Sequence, residues 1–175
     1  MGASAEGRRL RAARYFLFSA TFLSAILAGI TIDRYFIQRP AFEHIGMIAW
    51  GEYSRHADLS RGGLVLYPSL AIGNAVFAIA SVILVRSART VRRSARTLLY
   101  AGVALALLGL VFTTQAAPIM LGVAALGHDP QALRTAFQGF FFWSAIRGIC
   151  QILAFLTNLT ALSALSIAPP ATSTP

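Results

Sequence analysis

Four stretches of this chain carry no Asp, Glu, Lys or Arg, or a single one, over lengths that can cross a bilayer. They are residues 15–32, 62–85, 97–127 and, interrupted only by Arg147, residue 135 to the C-terminus. A membrane-crossing helix needs roughly 20 apolar residues. In hydrocarbon every backbone N–H and C=O must also be satisfied within the segment or a closed barrel, so long uncharged runs of this kind read as helices. With 57% hydrophobic and 12% charged residues, the chain lacks the balance of a soluble domain. It is therefore read as an all-α, polytopic four-transmembrane-helix bundle, with helices at about 15–36, 63–85, 97–118 and 138–166. They form one domain, 15–168, between a basic tail (1–14) and a flexible tail (169–175). The first run continues to Ile32 without a clear small-residue cleavage site, unlike a secretory signal peptide.

Arginines set the expected orientation, because basic residues beside membrane helices are retained on the cytoplasmic side. The N-terminal tail holds Arg8, Arg9, Arg11 and Arg14 against Glu6, and the second connection holds Arg86, Arg89, Arg92, Arg93 and Arg96. Both are expected in the cytoplasm, with both termini. The first connection balances Asp33, Glu43, Glu52 and Asp58 against Arg34, Arg39, Arg55 and Arg61, and the third carries only Asp129 and Arg134; both face outward. The net charge of +9 thus points to membrane lipids with anionic headgroups, and not to nucleic acid, since no aromatics interleave the arginines of the second connection. All fifteen basic residues are Arg, a bias expected of a high-GC bacterial source and hence a bacterial plasma membrane. Cys150 is the only cysteine, which excludes an intramolecular disulfide and paired-thiol redox chemistry.

Within the fourth segment Arg147, Gln151 and Asn158 share one helical stripe, with Trp143 at its edge. Snorkelling toward the aromatic run "FQGFFFW" accounts for Arg147 alone, but Gln151 and Asn158 lie deeper on the same face and are costly against lipid. The stripe is expected to face the bundle interior, for binding or for interhelical hydrogen bonds. In the second helix Tyr67, Asn74 and Ser81 recur every seventh residue, and the third carries Thr113, Thr114 and Gln115 before Pro118. Asp33 is the expected counter-ion of Arg147, with Arg34 competing for the same role. The connection from 33 to 63 is too long and too apolar for a turn, and is expected to form an amphipathic helix from about Pro40 to Leu59 on the bundle mouth. Glu52 and His56, at i and i+4, are the weak alternative for a metal site, with His128 and Asp129 as the further ligands it needs; otherwise Glu52, Arg55, His56 and Asp58 form a solvated or mutually paired surface. No phosphate loop, nucleophile elbow, haem-attachment or di-iron pattern is present in the sequence.

The stretches "RPAFEHIGMIAWGEYSRHADL", "YP" opening the second helix, "TTQAAPIM" closing the third and "FFFWSAIRGICQILAFL" in the fourth resemble the anthrone-oxygenase-like family of small four-helix integral membrane proteins. Pro40, Trp50, Pro118, Trp143 and Arg147 carry that resemblance. It implies a four-helix bundle whose characterised members oxidise phenolic anthrones to anthraquinones with molecular oxygen and no metal or flavin, though many bacterial members have no established activity. No cofactor is expected. Such chemistry needs a base and a cation to hold the substrate anion. Arg147 supplies the cation, Asn74, Gln115 and Gln151 the polar contacts, and Trp50, Tyr67 and Trp143 the stacking surfaces for a hydrophobic aromatic substrate. His56, Asp33 and Glu52 are the candidate bases. The competing expectation is a non-catalytic membrane subunit, a homo-oligomer or partner-docking protein, in which the polar stripes only specify packing. A small transporter is weakened by the lack of an inverted repeat.

Overall fold

The computed structural model describes residues 2–88 and 90–166; Arg89 and the 169–175 tail lie outside the described residues. Helix α1 (Gly2–Asp33) runs through a π-helical turn (Arg34–Gln38) into α2 (Arg39–Ile45), followed by α3 (Met47–His56), α4 (Arg61–Val85), α5 (Arg93–Gly122), a 3-10 turn (Val123–Ala125) and α6 (Pro130–Ser166). No strand occurs among the described residues. Four helical segments are long and apolar enough to cross a membrane: Ala5–Ile45, Arg61–Val85, Arg93–Ala125 and Pro130–Leu165. Large apolar side chains such as Phe18, Phe22, Ile83, Val111 and Ile149 stand exposed along them. A helix that is apolar on its outer face as well as its inner one is matched to lipid. The chain is thus all-α, an integral membrane protein with four candidate spans.

Two expectations about boundaries are corrected. Residues 2–14, read as a tail, are helical and continue α1. A helix of 32 residues is about 48 Å long, more than the roughly 30 Å hydrocarbon core, so its arginine-bearing turns project beyond the apolar zone. The helix expected from Pro40 to Leu59 is two helices, because Gly46 between them sits at φ 100°, ψ 161°, a conformation essentially reserved for glycine. Nor does α2 start afresh after α1. The π turn bridges them, with the Arg39 N–H bonded to the Arg34 carbonyl five residues back, and Pro40 follows directly, where it withdraws one N–H from the continuous helix next to the wider turn.

Helix α1 packs on α4 and α6, and α5 packs closely on α6 and more sparsely on α4. Two clusters of buried apolar residues lie at opposite ends, with others such as Leu27, Leu70, Ala78 and Ala154 outside both. At the arginine-rich end, Ala13 and Leu17 of α1, Val85 of α4, Ala95 and Leu99 of α5, and Ala161 and Leu165 of α6 lock all four long helices together. At the other end, Phe42, Trp50, Met120, Phe137, Phe140 and Phe141 lead a cluster drawn from α2, α3, α5, the 3-10 turn and α6. None of its members comes from α4, and no residue of α4 before Leu70 is buried. Helix α4 therefore joins its neighbours at the arginine-rich end and separates from that core at the other. Small residues set the tight contacts: a methyl group added at Gly102 of α5 collides with the Asn158 amide oxygen of α6, and one at Gly148 of α6 collides with the Thr31 methyl of α1.

Candidate functional site

The separation of α4 encloses a cavity of about 520 Å³ between the four long helices at the α2–α3 end. This lies within the 300–1,000 Å³ range of sites for drug-sized ligands. Leu27 and Ile30 of α1, Tyr67 and Ala71 of α4, Leu110 of α5 and Phe140 of α6 give it mostly apolar walls. Its charged groups come from three places. The π turn supplies Arg34, the α3–α4 connection supplies Asp58, and the middle of α6 supplies Arg147.

Arg34 and Asp58 form an ion pair with side-chain exposures of 12% and 7%. The Arg34 guanidinium also lies 5.7 Å from the Tyr67 ring centroid and 5.6 Å from that of Phe140, within cation–π range. Arg147 has no such partner. Among the described residues no carboxylate lies within ion-pair distance of it; its only hydrogen bond is a long one, 3.4 Å, donated to the Ser144 hydroxyl, and its buried Nε has no acceptor. Two guanidinium groups and one carboxylate leave the cavity one positive charge in excess.

The polar frame around these charges is ordered. The Tyr35 hydroxyl donates to the Phe141 carbonyl at 2.5 Å, fixing the π turn against α6. The Thr31 hydroxyl donates to the Gln151 side-chain oxygen at 2.9 Å, one helical turn from Arg147. The Ser60 side chain accepts from the Gly63 N–H at 3.1 Å, capping α4 and fixing the connection that carries Asp58.

The expected site residues separate into those the cavity gathers and those it does not. Arg147, Gln151 and Tyr67 line it, as do Thr113 and Thr114. Asn74 is buried, with its side-chain oxygen unpartnered, but it is not part of the cavity wall. Gln115 is exposed on the outside of α5 and does not reach the cavity. Trp50 lies in the aromatic core above it, stacked on Phe137 at 4.2 Å and on Phe42 at 4.9 Å. Trp143 is half-buried beside Phe112 and Phe142, away from the wall. Asp33 is not the counter-ion of Arg147: it is exposed and accepts from Gln38 at 2.5 Å, while the next residue turns inward to Asp58.

The candidate bases Glu52 and His56 also stand outside the cavity. The His56 side chain is 84% exposed and lies 3.7 Å from Glu52. Glu52 is shared between Arg55 at 2.6 Å and His128 at 2.8 Å, and Arg55 also donates to the Gly127 carbonyl. Partial desolvation pushes the Glu52 carboxyl upward, but the His128 hydrogen bond and the Arg55 and His128 charges together hold it below the usual carboxylate value. This group ties α3 to the α5–α6 connection. Among the described residues no set of three or more His, Cys, Asp or Glu side chains is placed to hold a metal, so Glu52 and His56 do not form the centre their spacing suggested. Asp58, expected on the same solvated surface, is instead buried at the cavity. Sequence reasoning missed Asp58, Arg34 and Tyr35 as site residues. The available signal was that Asp58 lies two residues before the Ser60 cap of a membrane helix, where a carboxylate meets the apolar zone.

Fold and site together define an integral membrane four-helix bundle with an apolar, net-cationic cavity at one end. Comparison with known protein families, with curated proteins and with solved structures finds no match for this chain.

Proposed function

We propose that the chain lies in the membrane with its arginine-rich end in the cytoplasm, as retention of basic flanks favours, and that its outward cavity binds a hydrophobic aromatic molecule as an anion at Arg147. The observation that carries this is the Arg147 guanidinium, set in an apolar wall without a carboxylate partner and with an orphaned Nε. A buried charge without compensation is costly, and an anionic ligand is the compensation that fits. A phenolic or quinone-like ring system suits the volume and the Tyr67 and Phe140 faces.

The reaction we propose for this site is the cofactor-independent oxygenation implied by the family resemblance. Asp58 is the only carboxylate at the cavity among the described residues and takes the place of His56, Asp33 and Glu52 as base. Removal of a proton from a phenolic anthrone gives an electron-rich anion held by Arg147. Molecular oxygen then oxidises the ring methylene to a carbonyl: one oxygen atom becomes the carbonyl oxygen on that carbon, and the other leaves as water with the two methylene hydrogens.

The test is incubation of the purified protein with a hydroxyanthrone under air, following oxygen consumption and anthraquinone absorbance. Wild type is expected to turn over, with Arg147→Met and Asp58→Asn variants that remain folded losing activity. No binding and no turnover by wild type, with a second polypeptide held tightly through purification, would overturn the enzyme in favour of a membrane subunit.

A further inference from the structure

The walls of the cavity differ in exposure. On α1 and α6 its lining residues are buried or half-buried, as at Leu27, Phe140 and Ser144. On α4 and α5 they reach the outside: Leu64 is 47%, Ile72 53% and Leu121 52% exposed. These residues lie on helices whose outer surfaces are matched to lipid, so the opening between α4 and α5 faces the bilayer. The water-facing end is closed by different material. Asp58 and Leu59 cross above the cavity, Leu59 packs under the aromatic core, and Trp50 stacks between Phe42 and Phe137 over it.

Each side of the lateral opening carries a proline within its helix, Pro68 in α4 and Pro118 in α5. A proline withdraws the N–H that the carbonyl four residues earlier would receive. Those carbonyls belong to Leu64 and Thr114, and both residues line the cavity. In hydrocarbon a carbonyl deprived of its helical donor is costly unless something else donates to it. Each rim thus carries a carbonyl that lacks its usual helical donor.

We propose that the ligand of this cavity is a bilayer-dissolved amphiphile, a flat apolar body carrying an acidic hydroxyl or carboxyl group, and that it enters and leaves sideways between α4 and α5 without passing through the aqueous end. The inference rests on the anion-binding role proposed for the cavity and adds the source and path of the ligand. Its acidic group travels past Leu64 and Thr114 as a hydrogen-bond donor and ends at Arg147 as an anion, its proton passed to the Asp58 carboxylate. Its apolar body remains in contact with lipid at the opening throughout.

The path is tested by kinetics, since equilibrium affinity does not depend on route. Full-length protein in lipid nanodiscs is mixed rapidly with anthracene-9-carboxylate, a fluorescent aromatic acid, and association and release are followed by fluorescence. Ile72→Trp and Leu121→Trp narrow the lateral opening and are expected to slow association and release alike, each about tenfold, the effect of roughly 1.4 kcal/mol of added barrier, whereas a mere loss of affinity would speed release. Leu59→Ala thins the aqueous cover and is expected not to accelerate association. Acceleration by Leu59→Ala, with both rim variants kinetically silent, overturns the lateral path. Failure of wild type to bind the probe, or undiminished binding by a folded Arg147→Met variant, defeats the anion site itself, a result distinct from either kinetic outcome.

Discussion

Replacing Arg147 with methionine should raise stability and lower ligand binding together. Methionine keeps the unbranched apolar stem of the side chain but removes the guanidinium group and its permanent charge. Among the described residues of the unliganded protein that charge has no carboxylate within ion-pair distance, and its only hydrogen bond is the 3.4 Å approach to Ser144, too long to contribute much. Replacing buried ionic groups by apolar ones of similar volume typically stabilises by about 1–4 kcal/mol. Here the gain should lie within that range, because no close ion pair is lost with the charge. On the binding side, a hydrogen bond to a charged group contributes about 1.5–3 kcal/mol, so affinity for an aromatic acid should fall roughly 10- to 150-fold. Thermal unfolding in detergent without ligand gives the first quantity and fluorescence titration gives the second. A variant that unfolds more readily than wild type, or that binds the acid equally well, would refute the view of Arg147 as an uncompensated cation awaiting an anion.

Asp58→Asn leaves two unpaired guanidinium groups at the cavity and should cost about 3–5 kcal/mol, most of it recovered when Arg34→Met is added, as a double-mutant cycle in chemical denaturation would show. Trp50→Ala removes the ring stacked between Phe42 and Phe137 and should cost about 3–5 kcal/mol in the same assay. Gly102→Val drives a side chain into Asn158 and should destabilise the α5–α6 contact by about 1–3 kcal/mol, read as a lower melting temperature. Glu52 has its folded-state pKa depressed, so its contribution is complete above the ordinary carboxylate value and disappears as pH falls through the lower folded one. Glu52→Gln should flatten that acid limb in a melting-temperature profile and leave the neutral region little changed.

The four spans were legible because bilayer thickness imposes a length that few soluble segments meet. The inward direction of Arg147 and Gln151 was legible because both lie on one helix, where periodicity alone fixes their shared face. Gln115 was misplaced for a related reason: Thr113, Thr114 and Gln115 are consecutive, successive residues turn about 100° around the axis, and three in a row cannot all face one cavity. The Arg34–Asp58 pair joins residues 24 positions apart through a glycine break and a turn, and no periodicity spans that path. The π turn was hidden as well, since its wider register is set by packing of Tyr35 and Arg34 against α6 and the connection rather than by a local residue preference.

The two apolar clusters also bear on how this chain can change over generations. The apolar cluster that joins all four long helices lies at the arginine-rich end, while α4 contributes nothing to the core at the other. Substitutions along the first turns of α4, at Leu64, Tyr67 or Ala71, therefore reshape the chamber without drawing on the contacts that hold the bundle closed. Descendants of this sequence have room to trade one ligand for another by altering a few side chains on a single helix, with the far end of the bundle as a fixed foundation.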